Sequence, residues 1–298
     1  MSAIEGTAEQ AAGRREPVGL NEYFSEAGPD YFAWSHGFNM HFGYFRWGMN
    51  PFRREAMLEQ MNVEVLERLW VGGGGRILDM GCGLGATLRS FARQRPDVEL
   101  IGITVVPWQV ERGTQLNVAC AEGARVQLLE GDYEKTELEP GSFDAVYGLE
   151  STCYARGADK AGLLREAYRL LKPGGRMVMA DGFLRGGRRM GVLQRAIYHK
   201  LCECWVIDTL GEVARVEEEM ERIGFDEVQV EAAQMRVAPS VFHVPWVTAK
   251  FLVTDVLFGS RRMTQARWNN VIAPALLPLV SWPLGPMEYC IVSGTKRI

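Results

Sequence analysis

Between residues 76 and 183 the chain alternates short apolar runs with amphipathic stretches, and that alternation restricts its fold more than any other feature. RILDM, LIGITV, RVQLLEGD, FDAVYGLE and GRMVMADGF are separated by ATLRSFARQ, PWQVERGTQLNVACAEG and KAGLLREAYRLL. Apolar runs of strand length divided by helix-length segments specify βαβ units, and therefore a parallel sheet covered by helices on both faces. In such an α/β, doubly wound sheet the ligand lies beyond the carboxyl ends of the strands, where the strand order reverses. The turn GCGLGA, directly after RILDM, sets Asp79, Gly81, Gly83 and Gly85 at one of those ends. Glycines there allow a tight strand-to-helix turn and close approach of backbone to a ligand.

The flanking regions follow different rules. VEEEMERIGFDEVQVEAAQ predicts a further helix and strand, and MEYCIVSGTKR a last strand, for a mostly parallel seven-stranded sheet. Residues 235–286, before that last strand, are too long for a hairpin and strongly apolar. Lys250 and Asp255 interrupt one apolar run and three prolines another, so a hydrophobic lid or wall is expected rather than a membrane span. Residues 1–20 read as a disordered leader without a signal-peptide core. Residues 21–70 read as an irregular aromatic cover followed by the amphipathic helix FRREAMLEQMNVEVLERLW, and 71–298 as one main domain carrying the insertion.

The net charge of −4 offers no global field for a polyanion, which argues against nucleic acid. The six cysteines form no paired CxxC spacing, so no metal is expected and Cys202 and Cys204 read as buried structural residues in a cytoplasmic protein.

The motifs together resemble a known family. ILDMGCGLG, GDYEKTELEPGSFDAVYGLES and LLREAYRLLKPGGRMVMAD resemble, in order and separation, the motifs of class I S-adenosylmethionine-dependent methyltransferases, which have a Rossmann-like fold. GITVVPWQVERGTQLN is similar to the corresponding segment of the sterol, tocopherol and cyclopropane-fatty-acid branch, and NMHFGYF to its HxGYW element. The resemblance implies S-adenosyl-L-methionine as cofactor. Asp79 and the loop Gly81, Cys82, Gly83 and Gly85 would run along its methionine moiety. Thr104, with Gln109, would lie near the ribose in place of the usual acid. Asp132 would accept from the adenine amino group, with Tyr133 beside the ring, and Tyr31 would reach the carboxylate.

GLESTCYA resembles the E[AS]T.[HY] pattern of enzymes that methylate isoprenoid double bonds, of sterol and prenyl-diphosphate type. Methylation of an alkene leaves a carbocation that needs negative charge or π faces and must lose a proton. Glu150 suits either role, and burial would raise its pKa unless donors such as Ser151 or Tyr154 compensate. Tyr154, Tyr44, Phe42 and Trp47 are candidates for an aromatic wall, and His41 for a base acting on a hydroxyl.

Bland readings stand beside these. Glu150 could only organise the cofactor loop, Asp132 cap a turn and Thr104 be an ordinary strand residue. The N-terminal aromatics could be core packing, His41 a histidine tied to backbone, and Arg185, Arg188 and Arg189 a solvated loop rather than an anion site. The expectation is a methyltransferase acting on a hydrophobic small molecule, at carbon of a sterol, isoprenoid or lipid alkene, with peripheral membrane contact through 235–286 left open. The alternatives are O- or N-methylation of a small aromatic metabolite, and a noncatalytic binding protein.

Overall fold

The computed structural model describes residues 18–187, 189–281 and 285–298. In chain order these form α1 (Leu20–Ala27), a 3-10 helix (Gly28–Ala33), α2 (Arg54–Leu69), β1 (Arg76–Met80), α3 (Ala86–Gln94), β2 (Glu99–Thr104) and α4 (Pro107–Val118). Then come β3 (Val126–Glu130), β4 (Phe143–Leu149), α5 (Ala161–Leu170), β5 (Leu171–Leu184), α6 (Val192–Trp205), β6 (Gly211–Glu212), α7 (Val213–Ile223) and β7 (Phe225–Ala232). The last part holds α8 (Gln234–Val241), α9 (Val244–Phe251), a π-helical turn (Leu252–Leu257), α10 (Gln265–Ser281) and β8 (Met287–Lys296).

The strands form one sheet in the order β3-β2-β1-β4-β5-β8-β7, with β8 antiparallel to both its neighbours and the others parallel. The seven strands read from the sequence are all present. The two-residue β6, pairing with the end of β5, is an eighth that hydrophobic pattern could not reveal. Strand order reverses between β1 and β4, which fixes where a ligand crevice opens.

Alternating strand residues feed two cores. Ile77, Tyr147, Val178 and Ile291 pack with Met61, Val65, Leu88 and Phe91 of α2 and α3. Leu78, Val146, Met177 and Cys290 pack with Leu163, Leu164, Val216 and Met220 of α5 and α7. Both faces are thus buried, as near-continuous apolar runs require. Burying one such Leu, Ile or Met contributes roughly 1.5–3 kcal/mol, which makes a slip of register prohibitive.

Two regions depart from the sequence reading. The N-terminal cover is not wholly irregular: α1 and the 3-10 helix occupy Leu20–Ala33, with Tyr23 and Ala27 packed against Ala266 of α10. Its apolar positions face another distant segment, so local periodicity was too short to register. α6 was likewise unforeseen; its Tyr198, Leu201 and Cys202 meet Leu277 and Val280 of α10. Cys202 and Cys204 are buried on it. The leader expected over 1–20 lies outside the described residues as far as residue 17. Among the described residues no helix is long and apolar enough to cross a membrane.

Candidate active site

A cavity of about 450 Å³ opens at the carboxyl ends of β1, β2, β4 and β5, roofed by the N-terminal cover and by α8, α9 and α10. Gly81, at the end of β1, has φ +116°. A Cβ there would lie 2.2 Å from the Ser151 Cβ, so backbone conformation and close approach both demand glycine. Gly83, with φ +50°, borders the cavity. Gly85 does not; it caps α3, where an added Cβ would press on Leu128. Its glycine serves the turn rather than a ligand.

Asp79 lies beneath this loop, 3% exposed. The Tyr147 hydroxyl donates to its Oδ2 at 2.6 Å, and its buried Oδ1 has no partner. Burial raises the carboxyl pKa to about 7, against the opposing hydrogen bond from Tyr147. An unmet carboxylate oxygen on a cavity wall suits a cationic N–H donor. Beside it the Thr104 hydroxyl donates to Gln109 Oε1 at 2.7 Å, and both residues line the cavity. Asp132 sits at the rim, where Oδ1 accepts from the Glu134 N–H at 2.8 Å and Oδ2 pairs with Arg156 at 3.3 Å. A turn-capping and a cavity-lining position are thus combined in one residue. Tyr133 donates to the Ser151 carbonyl at 2.9 Å, and Tyr31 also reaches the cavity.

Glu150 follows β4 with φ +48°, a strained conformation for a residue with a side chain. Its Oε1 accepts from the Phe42 N–H at 2.7 Å and the Tyr289 hydroxyl at 3.0 Å. Burial raises its pKa to about 8, against the Phe42 hydrogen bond and with the help of the Asp181 charge. The donors differ from those expected: Ser151 Oγ donates instead to the Met80 carbonyl at 2.7 Å. Tyr154 and Phe42 line the cavity with Glu150.

Two of the expected wall aromatics do not. Tyr44 is turned into the core between α2 and the sheet, its hydroxyl donating to Glu231 at 3.3 Å, and Trp47 is 85% exposed. The intervening Gly43 packs against α2, where a Cβ would meet the Met57 backbone at 2.5 Å, and this points Phe42 and Tyr44 in different directions. His41 does line the cavity, but its Nδ1 donates to the Phe42 carbonyl at 2.9 Å and its Nε2 lies 3.2 Å from the Asn39 amide. Burial lowers its pKa to about 4, leaving it neutral and a weak base.

Sequence reasoning missed the groups that fix the Glu150 loop. Asp181, within β5, accepts from the Thr152 hydroxyl at 2.7 Å and the Cys153 N–H at 2.9 Å. Lys160, 1% exposed, donates to the carbonyls of Cys153, Ala155 and Thr209. An acid inside the apolar run MVMADGF was the available signal. Tyr289 gave none, because only the antiparallel insertion of β8 beside β5 brings it to Glu150. The arginine loop supplies no wall: Arg185 Nε is 3.6 Å from Glu288, Arg189 is exposed away from the cavity, and Arg188 lies outside the described residues.

Residues 77–175 match the family described as methyltransferase domain. The matched stretch runs from β1 into β5 and takes in the glycine turn, Asp132 and Glu150. The chain is similar to a sterol 24-C-methyltransferase of Yarrowia lipolytica, 31% identical over 58% of this chain and 44% of that enzyme. It is also similar to an O-methyltransferase of Pyrenophora dematioidea, 36% identical over 50% of this chain and 55% of that enzyme. The chain spans about half the length of these curated relatives. The crystal structure of the [4+2]-cyclase SpnF superposes with a TM-score of 0.73 at 19% identity, covering 94% of this chain and 96% of that one, which extends the shared fold to nearly the whole molecule.

Proposed function

We propose that the protein is an S-adenosylmethionine-dependent methyltransferase that alkylates carbon of an uncharged sterol, isoprenoid or lipid alkene. The observation that carries this reading is Glu150: a carboxyl group held by two donors on one oxygen, inside an aromatic cavity, with its pKa raised by burial to about 8. Asp79, the loop from Gly81 to Gly83, Thr104 with Gln109, Asp132, Tyr133 and Tyr31 would hold the cofactor, and the unmet Oδ1 of Asp79 fits an ammonium group. When bound, S-adenosylmethionine supplies an electrophilic methyl group on a sulfonium.

The chain's own residues orient the acceptor, exclude water and shelter charge. An alkene carbon that gains a methyl group leaves positive charge on its neighbour. Tyr154, Phe42 and Tyr31 offer π faces to that charge, each ring contributing about 1–2 kcal/mol in a desolvated site. Glu150 stabilises the cation and accepts the proton whose loss restores a neutral alkene. It needs no net oxidant, since the proton leaves from carbon to carboxylate.

The acceptor is read as uncharged because Arg156, the one Lys or Arg lining the cavity among the described residues, is engaged by Glu134 and Asp132. A diphosphate would meet no unpaired Lys or Arg there. O- or N-methylation, for which His41 would serve as base, has weaker support because burial lowers the pKa of that imidazole to about 4 and its Nδ1–H is tied to the Phe42 carbonyl.

The deciding experiment is calorimetric titration with S-adenosylhomocysteine, followed by a labelled-methyl screen over sterols, prenyl diphosphates, tocopherol precursors and phenols. Binding with label in a neutral isoprenoid is the expected result. Label only in phenols would move the chemistry to oxygen, label in a diphosphate would overturn the charge argument, and no binding would defeat the reading.

A further inference from the structure

The segment from Val241 to Phe258 has two apolar faces. Val244, Val247, Thr248 and Phe251, spaced three and four apart, line the cavity. On the opposite face the same helical run presents Phe242, Trp246, Lys250, Val253 and Leu257, again spaced four, four, three and four apart, and all exposed. Trp246 is 72% exposed, Leu257 70% and the adjoining Phe258 82%. Helices of globular proteins bury one apolar stripe and wet the other, so an outer stripe this apolar marks a contact surface. His243 bonds through Nε2 to the Pro51 carbonyl at 2.7 Å, which brings exposed Phe52 and Arg53 to the head of this face.

Charge selects the occupant. The whole chain has a net charge of −4, yet residues 234–281 contain five Lys or Arg and a single acid, Asp255. Arg267 and Arg261 pair with Asp30, but Lys250 and Arg262 are exposed and have no ion pair among the described residues. Tryptophan and phenylalanine at the surface, flanked by unpaired cations, fit the boundary between acyl chains and anionic headgroups.

We propose that this outer face docks the protein on an anionic lipid surface, with the cavity directly behind it. Resting on the reading of a lipid-like acceptor, the contact places the site's roof against the phase in which such an acceptor dissolves. The roof is then a passage as well as a wall: separation of α9 from α10 at the membrane would admit acceptor without exposing it to water.

Co-sedimentation with vesicles of phosphatidylcholine, with and without phosphatidylserine, tests the proposal on the full chain. Wild type should pellet with the anionic vesicles, and the fraction bound should fall as salt rises. The variant W246S/L257S/F258S should lose affinity by about tenfold or more, and K250E/R262E should lose the preference for phosphatidylserine. Both variants should keep S-adenosylhomocysteine affinity and transfer to a detergent-dispersed acceptor, which separates failure of docking from failure of the methyl-transfer reading. Equal binding to both vesicles, or unchanged binding by the triple variant, would overturn the proposal. So would a concentration-dependent dimer that the triple variant dissolves, with no vesicle binding, because the face would then belong to a second copy.

Discussion

The two ends of the cavity are built on opposite principles. At the sheet end, single positions are fixed by backbone conformation and contact: Gly81 by its φ of +116° and by Ser151, Asp79 by Tyr147, Glu150 by Phe42 and Tyr289. At the roof, α8 to α10 supply apolar surface in which residue type matters more than identity, and the helices carry internal prolines at Pro239, Pro274 and Pro278. On the proposed function, the contrast would place cofactor handling in positions that tolerate almost no substitution and acceptor choice in a surface that can be reshaped at little cost.

That contrast can be broken by experiment. The largest effect should come from Glu150→Gln, with kcat lower by about a thousandfold or more and S-adenosylhomocysteine affinity within about threefold of wild type. If calorimetry instead showed lost cofactor affinity, Glu150 would be an organiser of the loop. Gly81→Ala should weaken S-adenosylhomocysteine binding by about tenfold or more and lower stability by roughly 1–3 kcal/mol, since it joins positive φ to a clash with Ser151.

The pH response has a definite sign. Glu150 titrates near 8 in the fold against an ordinary value near 4.5, so the native state holds a proton that the unfolded chain releases. Its contribution to stability is therefore full below about pH 4.5 and is lost as pH rises through 8. Its use as a proton acceptor runs the other way, and kcat/KM should rise over the same window. Thermal melts and initial rates across that range should cross in opposite directions, and Glu150→Gln should flatten the rise in rate.

At the roof, Val247→Ala should raise acceptor KM by about fivefold, in keeping with about 1 kcal/mol of apolar contact, and leave cofactor affinity alone. A selective loss of cofactor binding would show that the two ends are coupled. The smallest effect should be that of Tyr44→Phe, which removes one hydrogen bond to Glu231 and should cost under about 1 kcal/mol in denaturant melts, with unchanged turnover.

The same division explains what the sequence disclosed. Strands with both faces buried announce themselves as apolar runs, and the glycine turn announces the cavity end of β1, so the sheet, the crevice and the places of Asp79, Thr104, Asp132 and Tyr133 on its wall were legible. The HFGYF segment was legible as a motif but not in its directions: alternate residues around Gly43 part company, Phe42 toward the cavity and Tyr44 toward the core, and only the packing of Gly43 on α2 decides which. Asp181 and Tyr289 act through partners distant in sequence, and one chain read alone carries no record of such pairings. α1 and α6 escaped notice because their apolar positions answer α10 rather than the sheet.

The place of β8 bears on how the molecule is made. It is hydrogen-bonded between β5 and β7, yet follows both in the chain. During synthesis most of the outer edge of β5 must wait from Leu184 until Met287 emerges, and an apolar strand with an open edge invites wrong partners in that interval. Glu150 meanwhile lacks one of its two donors, since Tyr289 arrives with the same strand. A nascent chain halted before β8 would thus hold the glycine cradle with an unfinished Glu150 site, and the centre proposed above would be complete only once the sheet is closed.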